Sequence, residues 1–255
     1  MKQFLTLLFV CGAAFAQTKS TAPATKSTSA VKKSTTPARN LLDPSTLKAI
    51  APAEYKVKFA TTQGDLVIQV TRAWAPLGAD RFYNLVRGGF FTNVAFFRVG
   101  HDFMAQFGIS PDPKVTRTWN TQNLADDPVK QSNKRGFVTF ATAGPNTRTT
   151  QMFINYVDRN AFLDGQGFAP FGEVIEGMEN ADKFYDGYGL SPDQTSIQQL
   201  GKPWLDKNMP KCDYIKTAVI VPAVAPPPAA TKSTATKSTT AAKAPATKST
   251  TATKQ

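Results

Sequence analysis

The 255-residue chain predicts a mainly β fold, a closed eight-stranded antiparallel β-barrel capped at its openings by two short α-helices. Three observations lead there. Short apolar-rich runs recur between turn signals from about residue 55 to residue 221. Most connections between them are too short for the crossover that a parallel sheet needs. Helical periodicity appears in only two stretches, which is too little helix for a layered α/β fold. A barrel has no free edges, and a sandwich is the alternative that the same pattern allows.

The elements follow in order. Residues 55–59 alternate, with Tyr55, Val57 and Phe59 apolar and Lys56 and Lys58 polar. Gln63-Gly64-Asp65 turns the chain and 66–70 returns, so a hairpin is expected. Pro76 opens a helix whose Ala79, Phe82 and Val86 share one face, and Gly88-Gly89 ends it. Residues 95–99 and 103–107 read as two aromatic-rich strands, and 137–141 and 152–156 as two more. The loop between the last two contains Gly144-Pro145-Asn146, a turn former. Residues 171–175 form a seventh strand, 178–185 a short helix, and 214–221 the closing strand.

Charge divides the chain into a neutral middle and basic ends. The net charge is +12, yet residues 46–221 hold 19 basic and 17 acidic residues. All three Trp and all six Tyr also lie there, so 46–221 is read as the globular domain. Residues 1–16 combine Lys2, an apolar run from Phe4 to Val10, and Ala14-Phe15-Ala16. They read as a secretory signal peptide cleaved after Ala16. Secretion places the mature chain in a periplasmic or extracellular space. No stretch reaches the ~20 apolar residues of a membrane span.

Residues 17–45 and 222–255 repeat Thr-Lys-Ser-Thr with Ala and Pro between, as at Thr25-Lys26-Ser27-Thr28 and Thr236-Lys237-Ser238-Thr239. Such segments bury too little apolar surface to offset ordering entropy, so a disordered linker and a disordered tail are expected. Their lysines could dock to anionic surfaces, but they are widely spaced, and a soluble spacer is the preferred reading. After cleavage Cys212 is the lone cysteine, which excludes an internal disulfide and reads as a small buried hydrophobe.

The chemistry is bounded by what is missing. His101 is the single histidine, so a His-built metal site or a Ser-His-Asp triad is not expected, and Cys212 alone makes no zinc cluster. His101 itself reads as an exposed turn residue. There is no glycine-rich phosphate loop, and no cofactor or specific nucleic-acid partner is expected. Asp126-Asp127 reads as a solvated pair in a polar loop, Asn146 as a turn former, and Trp119 and Trp204 as packing residues. What remains is a site of one arginine, amides and aromatics, suited to peptide binding or to chemistry without proton transfer.

Six blocks then occur in one order: Phe96-Phe97-Arg98-Val99, Phe103-Met104-Ala105-Gln106, Ala141-Thr142-Ala143-Gly144-Pro145-Asn146-Thr147, Gln151-Met152-Phe153-Ile154, Phe162-Leu163-Asp164-Gly165 and Phe171-Gly172-Glu173-Val174. This series resembles the signature of the cyclophilin-type peptidyl-prolyl cis-trans isomerases, over roughly residues 55–221. The resemblance implies the cyclophilin-like barrel with a helix over each end. It implies isomerisation of X–Pro bonds without a cofactor. Together with the signal peptide, this gives the first functional class: a secreted isomerase, expected as a monomer, acting on proline-containing segments of exported proteins and assisting their folding.

By the same resemblance Arg98 is the catalytic arginine and Gln106 the glutamine that steadies it. Phe103, Met104, Phe153 and Leu163 form the proline pocket. Ala141, Thr142, Ala143 and Gln151 bind the substrate peptide, and Phe168 stands at a pocket His or Tyr position. Phe162 stands where many members carry a Trp whose indole N–H serves cyclosporin, so weakened cyclosporin binding is implied. Val99-Gly100-His101-Asp102 and Arg148-Thr149-Thr150 depart from the family pattern, which bears on substrate preference. Read without the blocks, Arg98 is a strand-end surface charge and Gln106 a barrel-interior amide. A non-catalytic peptide-binding scaffold on the same barrel, docked by its tails, is the second functional class.

Overall fold

The structure, a computed structural model, describes residues 40–222. The expected signal peptide (1–16), the linker up to residue 39 and the tail beyond residue 222 lie outside the described residues. Asn40 to Ser45, placed at the end of the linker above, pack onto the domain: the Trp119 indole donates to the Leu41 carbonyl at 2.9 Å.

The expected hairpin is present as β1 (Glu54–Thr61) and β2 (Asp65–Thr71), paired antiparallel with Val57 opposite Ile68 and Phe59 opposite Leu66. Strict alternation puts Tyr55, Val57 and Phe59 in the core and the lysines outside. Helix α1 (Pro76–Arg87) begins at its proline and buries Ala79, Phe82 and Val86. Its N-cap residue, Ala75, offers no side-chain acceptor. The Asp127 carboxylate supplies it instead, accepting from the Leu77 and Gly78 amides at 3.0 and 2.9 Å.

The remaining strands are β3 (Val94–Ala95), β4 (Arg98–Gly100), β5 (Met104–Phe107), β6 (Phe137–Phe140), β7 (Met152–Asn155), β8 (Pro170–Glu176) and β9 (Tyr214–Val221). They form one curled antiparallel sheet in the order β3-β9-β1-β2-β8-β6-β7-β5-β4. The expected closed eight-stranded barrel is therefore corrected to an open half-barrel of nine strands, with β3 and β4 as its edges.

The extra strand arises where one strand, 95–99, was expected. The Phe96 amide donates to Asp213 at 2.9 Å, beside β9, whereas the Phe97 amide donates to Gln106 at 3.1 Å, in β5. Adjacent residues thus serve opposite edges of the sheet. Phe96 enters the main core, which lies within the curl, and Phe97 a second cluster with Ile109, Ile197, Leu205, Met209 and Cys212.

The helices also need correction. The expected helix 178–185 shortens to α3 (Met178–Ala181), and three α-helices were not anticipated: α2 (Pro113–Trp119), α4 (Gln194–Leu200) and α5 (Lys202–Asn208). Of α4 only Ile197 is buried, and of α5 only Leu205, so neither shows an apolar stripe. Cys212 packs in the second cluster as expected, and burial, then Asp213, pushes its thiol up to about 12. No helix of the described residues is long and apolar enough to cross a membrane.

Candidate active site

Alternation along three strands builds a cleft on the outer face of the sheet. In β5, Ala105 and Phe107 turn into the main core, while Met104 packs outside it. In β7, Met152 and Ile154 turn inward and Phe153 outward. Met104 and Phe153 meet Leu163, from the 3₁₀ segment Asp158–Gln166, in a small apolar cluster flanked by Phe103, Ala141 and Phe168. The Phe153 and Phe168 rings meet edge to face at 5.9 Å. Above this cluster lies a cavity of about 360 Å³.

Arg98 stands opposite Gln106 in the β4–β5 register, so both side chains leave the sheet on the cleft side. Its Nη1 donates to Gln106 Oε1 at 2.9 Å, and Gln106 Nε2 donates to Gln151 Oε1 at 2.8 Å. Arg98 Nε donates to the Leu190 carbonyl at 2.7 Å. The guanidinium also lies 5.9 Å over the Phe103 ring. Partial burial lowers the Arg98 pKa, but an arginine remains charged at neutral pH. Gln106 is thus a cleft residue rather than a barrel-interior amide.

The loop 141–149 forms one wall. Thr142 and Thr147 hydroxyls lie 2.9 Å apart, and Thr147 accepts from the Ala143 amide at 3.0 Å. Asn146, at φ 58°, exchanges two hydrogen bonds with Asp126, as a turn former should. Behind this wall the reading of Asp126-Asp127 needs correction. Asp127 is buried, and it pairs with Arg148, itself only 3% exposed, at 3.2 Å. Arg81 donates to the carbonyls of Gln122 and Thr149, and burial, then Arg148, pushes its pKa down to about 10. The buried network also absorbs Trp119, whose ring lies 5.2 Å beneath Arg81.

Asparagines hold the floor. Asn160 donates to the Phe103 carbonyl at 2.7 Å and to Asn155 at 2.8 Å, and Asn133 donates to the Phe168 carbonyl at 2.8 Å. Asp164 accepts from the Asn133 amide and side chain at 2.9 and 2.8 Å. Two aromatic residues of the pocket are therefore fixed through their backbones. Gly108 completes the frame: at φ 104°, a Cβ there would lie 2.3 Å from the Thr150 carbonyl oxygen, next to Gln151.

Eleven of the twelve residues singled out from the sequence line the cavity: Arg98, Phe103, Met104, Gln106, Ala141, Thr142, Ala143, Gln151, Phe153, Leu163 and Phe168. Phe162 does not. It is 56% exposed at the rim, stacked on Phe103 at 6.3 Å. Sequence reasoning missed Thr147, Thr149 and Gln194, which also line the cavity. Thr147 lay within a quoted block, but Gln194 belongs to an unanticipated helix and carried no signal. His101 is exposed at its turn, as expected.

A cleft that sets one restrained guanidinium and a ladder of amides above an apolar pocket defines a peptide-binding β protein. The comparisons specify it further: the chain belongs to the cyclophilin-type peptidyl-prolyl cis-trans isomerases, whose family model, Cyclophilin type peptidyl-prolyl cis-trans isomerase/CLD, matches residues 56–200. It is 33% identical over 174 residues to peptidyl-prolyl cis-trans isomerase B of Escherichia coli, covering 65% of this chain and 98% of that one. It is 37% identical over 150 residues to peptidyl-prolyl cis-trans isomerase A of Dickeya dadantii, covering 54% and 77%. The crystal structure of cyclophilin AquaCyp293 from Hirschia baltica matches with a TM-score of 0.50 at 18% identity, over 70% of this chain and 78% of that one, a likeness of fold.

Proposed function

We propose that this isomerase acts on X–Pro bonds of exported proteins and assists their folding, with Arg98 as its catalytic group. The observation that carries the role of Arg98 is its restraint. Two acceptors hold Nε and Nη1, while Nη2 has no protein hydrogen-bond partner among the described residues. The export reading rests on residues 1–16, and with it a periplasmic or extracellular location.

The X–Pro bond resists rotation by about 18–20 kcal/mol because the amide is conjugated. As it twists, the prolyl nitrogen loses conjugation and regains a lone pair. A guanidinium N–H can donate to that lone pair but gains nothing from the planar ground state, which is the differential binding that catalysis requires. A charged hydrogen bond contributes about 1.5–3 kcal/mol. The rest comes from holding the ring against Met104, Phe153 and Leu163 while loop 141–149 and Gln151 anchor the peptide on one side. No proton changes hands, so the site calls for neither a shifted base nor a cofactor.

A protease-coupled isomerisation assay on a short proline peptide tests the reading with the full chain. Acceleration over the uncatalysed rate is expected. Peptide binding without acceleration would replace it with the non-catalytic scaffold. Export is tested by sequencing the secreted protein, whose first residue should be Gln17.

A further inference from the structure

Residues between α3 and α4 touch the strand that carries Arg98 at two positions and the turn after it at a third. The Leu190 carbonyl accepts from Arg98 Nε at 2.7 Å. Leu190 Cδ2 packs against Gly100 so closely that a Cβ there would lie 2.8 Å from it. Asp186 Oδ2 lies 3.6 Å from His101 Nε2. Arg98 and Gly100 are two apart on β4 and so share a face. Leu190 sits on that face, its side chain on Gly100 and its carbonyl on the guanidinium.

The segment is itself anchored. The Tyr185 amide donates to Asp213 Oδ2 at 2.7 Å, and the Tyr188 hydroxyl accepts from the Lys211 amide at 3.1 Å. Tyr188 also packs on the second cluster, which contains Phe97, the residue before Arg98. A chain of contacts therefore runs from the second core, through Tyr188, to Leu190 and Arg98.

We propose that Leu190 is a positioning residue for catalysis, clamping Arg98 through its carbonyl while Gly100 supplies the space that seats its side chain. The inference rests on the role given to Arg98 above. The physical case is conformational. A free arginine side chain has many rotamers to lose when it is held in one direction. Gln106 restrains one guanidinium nitrogen and leaves the plane free to swing about that contact. A second acceptor at Nε fixes the plane, so the remaining N–H groups keep one direction before substrate arrives. Such preorganisation acts on the transition state, so its loss should appear in kcat and leave KM nearly unchanged.

The test replaces the Leu190–Ser191 amide by an ester in the full chain, using the α-hydroxy analogue of serine at position 191. The ester carbonyl is a weaker acceptor, and the Ser191 amide that is lost has no backbone partner among the described residues. A fall of about tenfold in kcat is expected, with KM within about twofold. The same ester in an Arg98→Ala background should cost nothing further. Gly100→Ala, which crowds the end of the Leu190 side chain, should lower kcat by less than the ester does, and Gly100→Ala/Leu190→Ala should recover that loss.

An ester variant with wild-type kcat overturns the clamp, as does an equal proportional loss in the Arg98→Ala background, which would mark general damage. An unmodified chain that does not accelerate isomerisation at all would instead overturn the reading of Arg98 on which the clamp depends.

Discussion

Arg148 lies 3.2 Å from Asp127 with both side chains sealed from solvent, and this pair joins the first helix to the wall of the cleft. Asp127 spends its remaining capacity on the first turn of α1, while Arg148 lies in the loop that carries Thr142, Thr147 and Thr149 to the cavity. The Arg148 guanidinium also faces the Phe140 ring at 5.9 Å and donates to the Ala125 carbonyl.

Removing one partner strands the other. Asp127→Ala leaves a buried guanidinium with the part-exposed Asp126, at 3.3 Å, as its one remaining carboxylate among the described residues, and uncaps α1. A loss of about 3–5 kcal/mol is expected in urea unfolding. Asp127→Ala/Arg148→Met should lose less than the single change, because no uncompensated charge remains. If the double variant is the less stable, the pair is not the source of the cost.

Arg98→Ala should fold normally, since the residue is only partly buried and outside every core cluster. Isomerase activity should fall about a hundredfold, corresponding to about 3 kcal/mol of lost transition-state stabilisation. Arg98→Lys should recover little of it, because a single ammonium cannot meet the Leu190 carbonyl and Gln106 while also facing substrate. Wild-type activity in a correctly folded Arg98→Ala chain would remove Arg98 from the mechanism.

Parts of this molecule were legible because their causes are local. The hairpin around Gln63-Gly64-Asp65 follows from period-two alternation, and α1 follows from a proline start and one apolar face. The pocket was legible because the motif blocks carry its residues on strands whose alternation sends Met104 and Phe153 outward together. The buried state of Asp127 and Arg148 was not. Their positions look polar in sequence, and burial is decided by partners about twenty and fifty residues away. Leu190 was invisible for another reason: it acts through a carbonyl, and every residue has one. The open sheet was missed because Phe96 and Phe97 pair with different neighbours, which periodicity alone does not record.

Asp164 ties the floor of the cleft to pH. Burial opposes ionisation of its carboxylate, but hydrogen bonds from Ser132 and from the Asn133 amide and side chain outweigh it and lower the pKa. A folded pKa below the unfolded one gives stability that is present above the unfolded value of about 4 and is lost as pH falls through the folded one. Asp164→Asn should therefore lower the thermal midpoint at neutral pH and flatten its decline below about pH 4. An unchanged acid limb in the variant would show that other carboxylates govern it.

Phe162 sets the last expectation, which concerns cyclosporin. The ring stands at the rim, stacked on Phe103 at 17° and 6.3 Å, where the family's Trp would present an indole N–H. Phenylalanine keeps the apolar face and lacks the donor. A drug carbonyl seated there without its partner is left partly desolvated, a penalty of about 1–3 kcal/mol. Since about 1.4 kcal/mol is tenfold in affinity, cyclosporin should bind this chain one to two orders of magnitude more weakly than Trp-bearing relatives. Phe162→Trp should restore much of that affinity. Its effect on peptide isomerisation should be small, because the ring lies outside the cavity that Met104, Phe153 and Leu163 enclose. Titration calorimetry with the inhibitor, beside the coupled assay, separates the two effects. Equal cyclosporin affinity in both proteins would mean that the donor at position 162 does not limit binding, and a large rate change would place the ring in the catalytic pocket after all.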